Sequence, residues 1–91
     1  MKTINDDLIA FSKLGNLPMV KALVENGADI HADDDDALQW SAYYGHLSVV
    51  KYLVENGADV NAGNGFALQY ATYYGHSDIV EYLKRRDVCL K

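Results

Sequence analysis

The chain has 91 residues, 49% of them hydrophobic, and a formal net charge of -5 at pH 7. That length supports one compact domain, and that apolar content is enough to offset ordering entropy, which excludes both a multidomain enzyme and a disordered polar segment. The acidic balance, gathered in Asp33, Asp34, Asp35 and Asp36, repels phosphate backbones and anionic lipid, so neither nucleic acid nor membrane is an expected partner.

In chain order, the first predicted helix follows Asn5, Asp6 and Asp7, which offer N-cap chemistry before Leu8. Gly15 breaks it, and a second helix opens with Pro18 in its first turn, where a missing N–H costs little. Gly27 closes that helix in a left-handed conformation, as Gly57 does one unit later. The run Asp33 to Asp36 reads as a solvated turn, with Asp35 or Asp36 capping a third helix that begins near Ala37. Leu38, Ser41 and Ala42 give that helix one apolar face, and Leu47, Val50, Leu53 and Val54 give the fourth helix another. Gly63-Asn64-Gly65 is a turn into a third helix pair; it lacks the further glycine and lysine of a phosphate loop.

These elements repeat. Gly15-Asn16-Leu17, Gly45-His46-Leu47 and Gly75-His76-Ser77 recur at a constant interval, and Val20 to Asp29 returns almost unchanged as Val50 to Asp59. Three units follow, at about residues 5–36, 37–66 and 67–91, each a helix pair unable to bury its own apolar face and so obliged to stack on the next. The expected architecture is an all-α solenoid of about six helices, a single domain over residues 1–91. Ser41, Ala42, Ala71 and Thr72 are expected at the close approaches between units. Trp40, Tyr52, Tyr70 and Tyr82 are expected in the core. Lys84, Arg85, Arg86 and Asp87 replace the Val54 to Gly57 segment, and their charge is expected to close the array.

Gly45 to Ala62 resembles the second-helix signature of ankyrin repeats, and the likeness covers nearly the whole chain. The usual Thr-Pro-Leu-His opening is replaced by Asp36-Ala37-Leu38-Gln39 and Phe66-Ala67-Leu68-Gln69, and the preceding turn is shortened. Such short repeats are similar to those abundant in giant DNA viruses, and a natural viral protein or an array engineered from such repeats fits equally. The resemblance implies a protein–protein interaction module that binds a partner protein through its concave face, with no catalytic residue and no cofactor. Its variable positions fall on Lys13 and Leu14, Tyr43 and Tyr44, and Tyr73 and Tyr74; its turn positions fall on Asp34, Asp35, Asp36, Asn64, Gly65 and Phe66. The alternative is a structural or self-associating scaffold, which leaves a homo-oligomer possible.

The remaining polar residues carry no chemistry of their own. The aspartate run lacks the alternating ligands and distal Glu of a calcium loop, and His31, His46 and His76 are not spaced to converge on a metal, so no metal is expected. His46 and His76 are expected to organise turns by hydrogen bonding, as the resemblance implies. Cys89 is the single cysteine, no apolar run approaches a membrane span, and the first residues lack a secretory core, so an intracellular, cytoplasmic setting is expected, that of a host cell if the protein is viral.

Overall fold

The computed structural model describes residues 2–89, with side chains described up to Arg86. Six α-helices and no strand occur among the described residues: α1 (Ile4–Leu14), α2 (Leu17–Glu25), α3 (Ala32–Tyr44), α4 (Leu47–Glu55), α5 (Ala62–Tyr73) and α6 (Ser77–Cys89). They pair as α1/α2, α3/α4 and α5/α6; the odd helices stack α1 on α3 on α5, and the even helices stack behind them. The result is an elongated solenoid of 35 × 26 × 21 Å.

Local chemistry sets the helix ends. Asn5 to Asp7 lie inside α1; the cap is Thr3, whose hydroxyl accepts from the Asp6 N–H while the Asp6 carboxylate accepts from the Thr3 N–H. Asn16 caps α2, with Pro18 in its first turn. At the ends of α2 and α4 the Ala28 and Ala58 N–H groups reach back to Leu23 O and Leu53 O, and Gly27 and Gly57 take the positive φ this closure needs. No glycine stands at Asp87, the equivalent position in α6, and that helix runs on to Cys89.

The core lies along the seam between the two helix layers. Leu8, Val20, Leu38, Val49, Val50, Leu53 and Ile79 are fully buried there. Helix α4 buries more of its surface than α2 because it has α2 on one side, α6 on the other and α3 behind. Ser41, Ala42 and Ala71 occupy the close approaches, but Thr72 is exposed, its hydroxyl donating to Leu68 O. Its equivalents Ser12 and Ala42 are fully covered by the following unit; Thr72 has no such neighbour among the described residues.

The acidic turn is not the solvated loop the charge pattern suggests. Asp33, Asp34 and Asp35 form a left-handed turn with φ of 54°, 62° and 59°, and Gly63, Asn64 and Gly65 take the same conformation one unit on. No side chain caps α3. Asp35 is only 4% exposed: its carboxylate accepts from the Asp59 N–H at 2.8 Å and faces His31 Nδ1 at 3.0 Å. Asn5 makes the same reach to the Asp29 N–H at 2.7 Å, so at this repeat position α1 and α3 each clamp the loop that leads into the next helix pair. Gly65 has no side chain with which to continue the clamp.

Candidate functional site

Helices α1, α3 and α5 present their solvent-facing sides as one surface, with the turns at their N-terminal ends and the residue pairs at their C-terminal ends. Eight residues of helix separate Asp36 from Tyr44, roughly 12 Å of rise. The turn positions and the tyrosine pairs are therefore two ends of one stripe and not one cluster.

Residues spaced by four link those ends. The Trp40 indole N–H donates to Asp36 Oδ2 at 3.1 Å, and Trp40 stacks on Tyr44 with ring centroids 5.9 Å apart. In the next unit Phe66 stacks on Tyr70 at 5.7 Å. Trp40 and Tyr70 are consequently half-buried members of this face, which corrects their expected core placement; the i, i+4 spacing from Asp36 and Phe66 was the signal available. Tyr52 and Tyr82 do pack against the core as partly buried side chains, each with a lysine ammonium 5.8 Å from its ring, Lys21 and Lys51 respectively.

The junctions between units hold the rings together. Lys13 Nζ sits 4.4 Å from the Trp40 ring. At the equivalent place in the next junction, Tyr43 meets Tyr70 edge-on at 5.3 Å and Tyr74 at 4.6 Å, and the Tyr74 hydroxyl donates to the Tyr43 hydroxyl at 3.1 Å. That bond and the surrounding phenols hold the Tyr74 hydroxyl protonated, its pKa pushed up to about 12. Burial raises the Asp36 carboxyl above the usual carboxylate range, against the opposing pull of the indole N–H; Asp33 adds to the rise and Lys13 reduces it.

His46 Nε2 lies 2.8 Å from Lys13 O, and His76 Nε2 lies 2.9 Å from Tyr43 O. A carbonyl only accepts, so Nε2 carries the proton in both rings. These histidines bridge units as well as shaping turns. Each ring also requires a bare glycine beneath it: a Cβ on Gly15 would stand 2.5 Å from His46 Nδ1, and one on Gly45 would stand 2.7 Å from His76 Cε1.

The sequence-derived candidates therefore divide. Leu14, Tyr44, Tyr73 and Tyr74 are exposed, at 71%, 50%, 80% and 47%, and Lys13, Asp34, Asn64 and Phe66 are exposed beside them. Asp36 and Tyr43 are half-buried and build the face from within. Asp35 leaves the set, because it is committed to the clamp. Gln39 and Gln69 belong to the same surface although sequence reasoning passed over them: their side-chain amides donate to Asp34 O at 2.8 Å and Asn64 O at 2.9 Å, bracing both left-handed turns. Their recurrence at the repeat interval was the clue.

Shallow clefts line the molecule, the most aromatic of them a space of about 330 Å³ among Phe66, Gln69, Tyr70, Tyr73 and Tyr74. Among the described residues no three His, Cys, Asp or Glu side chains converge, and no helix is long and apolar enough to cross a membrane.

An all-α solenoid of stacked helix pairs with one broad aromatic face is a helical repeat protein of the interaction-module class. A family model described as ankyrin repeats in three copies matches residues 8–91, and the chain belongs to the ankyrin repeat family. Members of that family are typically non-enzymatic modules that bind other proteins. No curated protein matches the chain.

Proposed function

We propose that this chain binds a partner protein through the face built by Trp40, Tyr44, Phe66, Tyr70, Tyr73 and Tyr74, acting as one domain over residues 1–91. The observation that carries this reading is the exposure of Tyr44, Tyr73 and Tyr74 on a rigid, mutually packed ring ladder. Rings already locked by their neighbours lose little freedom on docking, and tyrosine supplies both apolar area and a hydroxyl for orientation.

The test is affinity capture with the intact protein and with a Tyr44→Ser, Tyr74→Ser variant, after both are shown to melt alike. A partner retained by the first and lost by the second supports the reading. Equal capture by both places recognition elsewhere on the surface.

A further inference from the structure

Each internal junction joins an outgoing set on one unit to an incoming set on the next. The outgoing set is a ring or ammonium at Lys13 or Tyr43 and its carbonyl, with a bare glycine at Gly15 or Gly45. The incoming set is His46 with Trp40, or His76 with Tyr70 and Tyr74. The repeat places an incoming set in the first unit and an outgoing set in the third. Tyr73, its carbonyl and Gly75 form an outgoing set that is open: nothing lies within 4 Å of a Cβ built on Gly75, and Tyr73 is 80% exposed. Leu14 and Asn16 form an incoming set on the opposite end, and Leu14 is 71% exposed. These are the two most exposed large apolar side chains among the described residues, and they stand at the repeat positions of Tyr43 and Tyr74, which meet at 4.6 Å.

We propose that copies of this chain associate head to tail, with Leu14 of one copy entering the cleft beside Tyr73 of another. The cleft of about 330 Å³ among Phe66, Gln69, Tyr70, Tyr73 and Tyr74 lies beside Tyr73 and would receive that side chain. Asn16 keeps the polar part of the pattern: its side-chain oxygen caps the Met19 N–H, and its NH₂ is a donor at the repeat position of His46 and His76. Ala10 stands where Trp40 and Tyr70 stand in the second and third units, leaving room for the Tyr73 ring.

Of the expected charged cap, Lys84, Arg85 and Arg86 are exposed on α6, with Arg85 paired to Glu81 at 2.7 Å; the Asp87 side chain lies outside the described residues. The convex half of the seam is weaker than inside the array, because the pairs Lys21 over Tyr52 and Lys51 over Tyr82 are succeeded by Glu81 opposite Ala22. Association is therefore concentration-dependent. Because the contact joins unlike surfaces, it propagates as an open chain instead of closing as a two-fold dimer.

Sedimentation velocity across a concentration series tests this. The weight-average mass is expected to rise from 10.1 kDa, roughly doubling and continuing upward without a plateau. Leu14→Asp and Tyr73→Asp each remove one half of the contact at an exposed position, so both are expected to keep the parent helix content and cooperative melt yet remain monomeric. Mixing the two restores one good junction, from the Tyr73 of one to the Leu14 of the other, and yields a discrete 1:1 pair. A parent that stays at monomer mass, a mixture of folded variants that does not pair, or a Leu14→Asp variant that still self-associates would each overturn the proposal, the last by pointing to a tail-to-tail dimer. The inference shares Phe66, Tyr70, Tyr73 and Tyr74 with the partner-binding reading, so a partner and a second copy compete for them; the monomeric Leu14→Asp variant leaves that face intact, so its capture of a partner tests that reading alone.

Discussion

The Asp35 carboxylate accepts the Asp59 backbone N–H at 2.8 Å, tying the first turn of α3 to the loop that leads into α5. Asn5 does the same for Asp29, which shows that the clamp needs a short side chain with an acceptor oxygen and not a charge. Asp35→Asn is therefore expected to cost less than about 1 kcal/mol, whereas Asp35→Ala, which leaves the N–H without its partner, is expected to cost about 1.5–3 kcal/mol. Chemical denaturation of the two variants separates these outcomes; equal losses would mean that charge, not the acceptor, matters at this position.

The same carboxylate makes stability depend on pH through His31. The hydrogen bond to Asp35, followed by the attraction of its charge, raises the His31 pKa above its ordinary value. A histidine with a raised folded pKa contributes stability that is fully present below its ordinary pKa of about 6.5 and is lost as pH climbs through the folded value. The imidazole is 57% exposed, so screening keeps this contribution below about 1 kcal/mol. Melting temperatures measured from mildly acidic to mildly alkaline pH are expected to fall with rising pH in the parent and to lose that component in His31→Gln.

Asp33 holds a φ of 54°, a conformation its counterpart Gly63 adopts without a side-chain penalty. Left-handed backbone costs an ordinary residue roughly 1–2 kcal/mol, and glycine returns part of that through greater unfolded-state freedom. Asp33→Gly is expected to stabilise the fold by a few tenths to about 1 kcal/mol, and Asp33→Ala to destabilise it. Asp33 makes no side-chain contact comparable to the Asp35 clamp, so thermal melts of these variants report backbone strain directly.

These turns also show where sequence reading reached its limit. The spacing of Gly15, Gly45 and Gly75 was enough to place three helix pairs, because each glycine ends a helix at the same step of the repeat. The exposure of Leu14, Tyr44, Tyr73 and Tyr74 agrees with the angular argument that adjacent helical residues cannot share one buried stripe. The burial of Asp35 was hidden because its partner is a backbone N–H 24 residues away, and main-chain donors leave no mark in a residue pattern. Trp40 was misplaced because its bulk suggests a core position; Asp36, four residues before it, was a legible partner, but the Lys13 ammonium that also meets its ring comes from the preceding helix pair.

Ser12 is fully buried and its hydroxyl has no hydrogen-bond partner, whereas Ala42 fills the equivalent place in the next unit. A buried polar atom without a partner costs about 1–3 kcal/mol, so Ser12→Ala is expected to stabilise the protein by about 1 kcal/mol after the small loss of packing. Ser12→Val adds volume where α1 and α3 meet closely and is expected to destabilise it. Urea unfolding of the pair distinguishes the two effects; a loss in Ser12→Ala would mean that the hydroxyl has found a partner in solution.

The Tyr74 hydroxyl donates to Tyr43, and ionising it removes the proton that makes the bond. This is the leading reason its pKa stands at about 12, above the ordinary tyrosine value of about 10. The bond's contribution is present up to the ordinary value and is lost as pH rises through the folded one. Followed by tyrosinate absorbance, Tyr43→Phe is expected to move the most alkaline step downward, and Tyr74→Phe to abolish it. If Tyr43→Phe leaves that step in place, crowding of the rings and not the hydroxyl bond sets the shift. The bond also constrains recognition: with its proton turned toward Tyr43, Tyr74 offers a partner an acceptor oxygen, so a ligand that docks on this face is selected for donors at that point.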